Sequence, residues 1–324
     1  MHLKGIHHVS SLTAKAPENV HFYTETLGLR MIKKTVNQDN PYVYHLFYGD
    51  EKGNPGTEYT FFEIPNMAPN HNGNNSISAV SLRVATDEAL TFWKRRFQEL
   101  GIDHDAITER NGHQTLSFRD FEGQRIILIS DQNNKGVKAG IPWDKSPIPP
   151  EYGILGLGPV KLTVPYKEAT IGVLTDVMGF RQTGSFPADK EGQPDILVFE
   201  TGDGGNGAEI HVEERKDLDR ERQGRGGVHH VAFRVDNEEE LKQWINIIQS
   251  EGFHHSGFID RYYFRSLYFR EPNGILFELA TDGPGFATDE EPEHLGESLA
   301  LPPFLESKRE KIERKLKPLN VEGK

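Results

Sequence analysis

Two stretches of the chain carry a doubled histidine in near-identical surroundings, Gly5-Ile6-His7-His8-Val9-Ser10 and Gly227-Val228-His229-His230-Val231-Ala232. Both read as strands. Strand neighbours point to opposite faces, so one histidine of each pair is expected to face a given cavity. Toward the other end sits Glu278, inside the apolar run Ile275-Leu276-Phe277-Glu278-Leu279. A carboxylate in such a run is costly unless it is paired or bound to a metal. The chain has no cysteine, which removes disulfides, thiolate catalysis, Cys-ligated zinc and iron–sulfur clusters together. Two imidazoles and a carboxylate, with no thiolate, make the ligand set of a non-haem Fe(II) centre with open coordination positions. One histidine in a strand is ordinarily a hydrogen-bonded core or surface residue; two matching pairs call for a common explanation.

The elements that must position these residues are set out by an internal repeat. Gly28, Gly101, Gly179 and Gly252 each follow a helical stretch and are 73, 78 and 73 residues apart, so alternate glycines are 151 apart. Glycine is the favoured residue where a helix ends in a left-handed conformation. Each unit of about 75 residues opens with a strand (Ile6–Leu12, Ser78–Val84, Val160–Val164, Val228–Val235). A helix follows (Pro17–Leu27, Asp87–Leu100, Tyr166–Val177, Glu238–Glu251). Turn-punctuated strands complete it, such as Tyr42–Tyr48 and Glu58–Ile64, or Tyr262–Phe269 and Ile275–Ala280. The expected fold class is therefore α+β, built from four βαβββ modules. The period also tests which sites are kept. The position 151 after His8 is Pro159, 151 before His230 is Ala79, and 151 before Glu278 is Ile127. Candidate ligands thus remain only in units one and four: His8, His230 and Glu278. For them to share a metal, units one and four must share one barrel and leave units two and three the other.

Length and composition bound the rest. The 324 residues suggest about two domains. We expect them at 1–132 and 152–282, a linker at 133–151, and an extension at 283–324 with a helix over Ser307–Leu316. With 37 basic and 49 acidic side chains the net charge is −12, which speaks against nucleic acid or an anionic membrane as main partner. No run has the ~18 apolar residues of a membrane span, and the first residues lack the apolar core of a secretory signal. A cytoplasmic location is expected.

The four modules, the opening strands with His8 and His230, the stretch Phe22-Tyr23-Thr24-Glu25-Thr26-Leu27-Gly28 and Glu278 resemble the vicinal oxygen chelate (VOC) superfamily. Within it the chain looks most like the ring-cleaving dioxygenases that act on hydroquinones. The resemblance covers residues 1 to about 300 and implies two VOC-type barrels, with His8, His230 and Glu278 holding Fe(II), or Mn(II) in its place. It implies that His7 and His229 line the substrate site. Arg261 and Tyr268 precede Glu278 by 17 and 10 residues, the offsets of a substrate-pocket arginine and tyrosine in that family. Ser10 stands where better-known members have Thr. The implied reaction uses a small aromatic diol and O2, with His7 or His229 as base, in a chain free to form a homo-oligomer. Two rivals are weighed beside it. A glyoxalase-like lyase or isomerase needs a fourth ligand, for which Glu63 is the candidate, although Glu63 reads better as a non-ligand. A binding protein of the same fold has no need of the three-ligand set. His211, His254 and His255 read as structural or surface residues, and Gly202–Gly207 as a turn.

Overall fold

The computed structural model describes residues 2–319. Unit one contributes β1 (Ile6–Thr13), β2 (Arg30–Asn37), β3 (Asn40–Gly49) and β4 (Glu58–Glu63). Unit two gives β5 (Ser76–Val84), β6 (Thr108–Arg110), β7 (His113–Arg119) and β8 (Arg125–Ser130). Unit three gives β9 (Ile154–Val164), β10 (Arg181–Phe186), β11 (Ile196–Glu200) and β12 (Glu209–Glu214). Unit four gives β13 (Val228–Val235), β14 (Ile259–Asp260), β15 (Arg265–Arg270) and β16 (Leu276–Thr281). They form two curled eight-stranded sheets, ordered β14-β15-β16-β13-β1-β4-β3-β2 and β10-β11-β12-β9-β5-β8-β7-β6. Units one and four therefore meet in the first sheet through the antiparallel pair β1–β13, and units two and three in the second through β5–β9.

The helices of units two, three and four pack against strands of their own units. In α2 (Asp87–Leu100) the Thr86 hydroxyl caps the start by accepting from the Ala89 N–H. Ala89, Leu90, Trp93 and Phe97 are buried at helical spacing, and Gly101 ends the helix at φ 67°. In α4 (Glu238–Ser250) the Asn237 side chain accepts from the Glu240 N–H while Leu241, Trp244 and Ile248 go inward. Gly28, Gly179 and Gly252 also take positive φ (71°, 73° and 82°), as four like-placed helix ends require. The helices of units one and three differ from expectation. α1 (Ala16–His21) and α3 (Lys167–Gly172) pass into a π-helical turn, Phe22–Thr26 and Val173–Val177, before their glycines. The wider turn is a local adjustment that apolar periodicity does not signal.

Two further departures bear on the site. The expected strand Tyr262–Phe269 is interrupted: Tyr262 adopts φ 70°, and a tight turn places Arg261 ahead of β15 instead of inside it. The expected terminal helix is two short ones, α5 (Pro303–Glu306) and α6 (Arg309–Glu313). The extension packs along β2, the sheet's last strand, which would otherwise offer unpaired backbone groups. Ala300 N–H donates to Lys34 O, and the fully buried Lys33 ammonium donates to Phe286 O, to Asp289 and to Glu290. Among the described residues no helix is long and apolar enough to cross a membrane.

Candidate metal centre and cavity

β1 and β13 each depart from regular pairing at a histidine. Ile6 and His8 pair with Phe233 and Ala232, which leaves His7 as an extra residue; Ser10 and Ser11 pair with His230 and Val228, which leaves out His229. A bulge of this kind breaks strict alternation and re-aims side chains. His8 and His230 then converge from neighbouring strands upon Glu278, which sits on β16 opposite Ala232. His8 Nε2 and His230 Nε2 are 3.1 Å apart, and Glu278 Oε2 is 3.1 Å from the first and 2.8 Å from the second.

These residues fit a metal ion. Both Glu278 oxygens are buried without a hydrogen-bond donor, so the nearby imidazole nitrogens are not in donor geometry. Donors about 2.1 Å from a common centre stand about 3.0 Å apart at right angles, and about 3.4 Å apart in a tetrahedron. Separations of 2.8–3.1 Å are close enough for all three side chains to donate to one ion. Electrostatics agree: burial raises the cost of charge on Glu278, but the His8 and His230 imidazoles outweigh it and hold its pKa well below the usual carboxylate range.

The doubled histidines have a physical purpose. His230 Nδ1 is 2.7 Å from His229 Nδ1, and His8 Nδ1 is 3.0 Å from His7 Nδ1. A metal-binding imidazole keeps its proton on the other nitrogen and donates it to an outer partner. With a metal on Nε2, the His230 Nδ1–H would donate to His229 Nδ1 and leave the His229 proton on Nε2. Burial, then His230, pushes His229 down to about 3, so it is neutral at pH 7 and serves as a donor more readily than as a base. His7 departs from its expected place. It is buried behind His8 and off the cavity wall, its Nε2 3.0 Å from the Thr281 carbonyl and its Nδ1 3.4 Å from Glu58. Burial opposes charge on His7, but Glu58 prevails and shifts its pKa upward. His7, His8 and Glu58 form a second compact group behind the first.

In front of the triangle lies a cavity of about 280 Å³, lined by His8, Ser10, His229, His230, Arg261 and Tyr268 and walled by Phe47, Phe62 and Phe264. Arg261 Nε donates to the Tyr268 hydroxyl at 3.3 Å, and its guanidinium also pairs with Asp39 at 3.1 Å, at the β2–β3 tip. Burial keeps the Tyr268 phenol protonated well beyond its usual range. The sequence reading missed His45. On β3, Tyr44, Leu46 and Tyr48 fill the core while His45 and Phe47 face the cavity, an alternation that was visible in the sequence. His45 Nε2 is 3.0 Å from Thr60 Oγ1, which is 2.7 Å from Ser10 Oγ, so three side chains form a hydrogen-bonded file along one wall. Burial, then His8 and His230, lowers the His45 pKa well below its ordinary value.

The remaining candidates lie elsewhere. Glu63 shares its face of β4 with Tyr59 and Phe61, opposite to Thr60 and Phe62, and its Oε1 accepts from the first N–H of α1, at Ala16. Glu214, 151 residues later, does the same for Lys167 N–H at the start of α3. A carboxylate at a helix start is favourable there, and this accounts for Glu63 without a metal. Glu63→Gln is expected to keep full metal content, measured by elemental analysis, and to lose about 0.5–1 kcal/mol of stability. Metal loss in that variant would restore the four-ligand alternative. His211 contacts Glu209 at 2.7 Å in the second sheet. His254 is exposed, and Gly202–Gly207 belong to the β11–β12 connection.

Comparison with known proteins adds an independent line. The sequence matches the model of the Glyoxalase/Bleomycin resistance protein/Dioxygenase superfamily over residues 5–128 and 156–279. It is 57% identical to the protein named "Putative ring-cleaving dioxygenase MhqA" of Bacillus subtilis, over 98% of this chain and 100% of that one. It is 30% identical to the chlorohydroquinone/hydroquinone 1,2-dioxygenase of Sphingobium indicum, over 96% and 95%. A crystal structure described as a putative dioxygenase from Bacillus subtilis superposes with TM-score 0.89 at 34% identity, covering 100% of this chain and 99% of that one. Glyoxalase I of Zea mays, at 12% identity and TM-score 0.62, covering 86% and 92%, shares the fold.

Proposed function

The chain belongs to the Glyoxalase/Bleomycin resistance protein/Dioxygenase superfamily, and from that premise we propose that it is an Fe(II)-dependent, extradiol-type dioxygenase that opens the ring of a hydroquinone. The observation that carries this reading is the His8–His230–Glu278 triangle opening onto an aromatic-walled cavity. Bound Fe(II) would supply a meeting point for a phenolic oxygen and O2, and the electron exchange that ground-state O2 requires. The side chains do the rest. Phe47, Phe62 and Phe264 give a flat ring apolar walls that exclude water. Arg261 donates to the Tyr268 oxygen, which leaves the phenolic O–H free to donate to an oxygen that gains negative charge. His229 presents its Nε2–H from the adjoining wall. The Ser10–Thr60–His45 file gives a substrate hydroxyl a hydrogen-bonding wall, since Ser10 Oγ and Thr60 Oγ1 can each donate or accept. His45, whose pKa burial and then His8 and His230 lower well below its ordinary value, stays neutral and orients Thr60. His7 and Glu58 act through His8, whose ring they hold in place. The ring then opens between the hydroxylated carbon and its neighbour, and both atoms of O2 enter the product.

The test is oxygen uptake by anaerobically iron-loaded protein given hydroquinone, methylhydroquinone, catechol and a methylglyoxal–thiol adduct in parallel. Uptake equimolar with loss of a hydroquinone supports the proposal. Isomerisation of the adduct without oxygen consumption would overturn it.

A further inference from the structure

The second sheet holds a cavity of about 270 Å³, nearly the size of the first at about 280 Å³. Seven of its lining residues lie 151 positions from residues that line the first. Exactly matched positions, 151 residues apart, put Arg110 for Arg261, Ser117 for Tyr268, Ser78 for His229 and Ala79 for His230. The bulge recurs with them: Ile77 and Ala79 pair with Leu162 and Lys161, which leaves Ser78 extra as His229 is. The clasp at the mouth recurs as well, Arg110 pairing with Asp189 of the β10–β11 connection at 2.9 Å where Arg261 pairs with Asp39. What is lost is the metal triangle, whose positions are Pro159, Ala79 and Ile127. The vacated room has not been filled with larger apolar side chains.

Two replacements instead bring in charge. Leu276 and Ser10 on the first cavity's wall correspond to Arg125 and Lys161 in the second. Lys161 is 3.4 Å from Glu213, which also accepts the Thr163 hydroxyl. Arg110 is engaged by Asp189 and Ser117. Asp103 and Asp105 lie exposed on the rim, Asp103 paired with Arg119. Arg125 forms no ion pair among the described residues, although it is partly buried and feels Glu221 and Glu213 at longer range. A partly buried guanidinium without an ion pair is open to a carboxylate, which matches its fork with two parallel hydrogen bonds. Ala79 and Ile127 supply an apolar floor beside it.

We propose that this second cavity binds a small organic carboxylate, its charged end on Arg125 and Lys161 and its apolar body over Ala79 and Ile127. The inference is independent of the activity proposed for the first cavity. Calorimetric titration of the full chain with benzoate, and separately with inorganic phosphate, tests it. Benzoate is expected to bind the wild type with Kd on the order of 0.1–1 mM. Arg125→Leu and Lys161→Ser, each checked for folding by circular dichroism, should weaken it by about tenfold or more, while Glu278→Ala leaves it unchanged. Absence of saturable benzoate binding, unaltered affinity in both cavity-two variants, loss of binding in Glu278→Ala, or tighter binding of phosphate than of benzoate would each overturn the proposal.

Discussion

Glu278→Ala protein, loaded with iron under argon and desalted, is expected to retain almost none. Removing the carboxylate takes away the one fixed negative charge in the triangle and leaves only His8 Nε2 and His230 Nε2. Losing an outer-shell partner of a metal ligand typically costs 10–100-fold in affinity, so losing a ligand should cost more than about a hundredfold. His8→Ala and His230→Ala should behave alike, each leaving two donors of three. His211→Ala is the control: its partner Glu209 lies in the other sheet, and the variant should load iron as the wild type does. Stoichiometric iron in purified Glu278→Ala would refute the site.

His8, His230 and Glu278 can be grouped from the sequence for two reasons of physical chemistry. A carboxylate between Phe277 and Leu279 on a buried strand has few explanations, and duplicated units reveal which positions are spared by comparison with their own copies. The same repeat places α2 at Asp87–Leu100, where in the structure Thr86 caps its start, Trp93 and Phe97 share its buried face and Gly101 ends it. The doubled histidines exposed the limit of the pattern. Alternation assigns one member of each pair to the cavity, yet the bulges at His7 and His229 bring both His229 and His230 to its wall and turn His7 behind His8. A bulge is a property of strand pairing, settled between β1 and β13, which no single-strand pattern contains. The left-handed turn at Tyr262 is hidden for a like reason: no Gly or Asn marks it, and the Arg261 N–H to Phe264 O bond that closes it exists only once β15 has its partner. Glu63 is the reverse case. Its role as a cap for α1 was legible in the repeat, since Glu214 recurs at the same place, but only when each acid is matched to the helix start it faces.

Tyr268→Phe should hold iron and still lose turnover by roughly a hundredfold or more, the usual scale for removing one aligned acid–base or anion-stabilising group. The ring remains, so the edge-on contact with His230 at 5.8 Å between centroids and the guanidinium stacking at 5.3 Å are kept. Only the hydroxyl is lost, and with it the acceptor for Arg261 Nε and the donor aimed at the reacting oxygen. Because burial holds the phenol protonated through the accessible range, the loss should be the same at pH 6 and pH 9. His229→Ala should show an equal or larger defect with metal retained, and some loosening of it, since the acceptor for the His230 Nδ1–H goes too. The discriminating measurement is kcat against KM for a hydroquinone under saturating O2. A defect confined to kcat places Tyr268 in stabilising charge that develops during reaction, whereas a rise in KM alone would make it a binding contact and nothing more. Full activity in Tyr268→Phe would remove the Arg261–Tyr268 pair from the mechanism and leave the His229 wall to carry the developing charge.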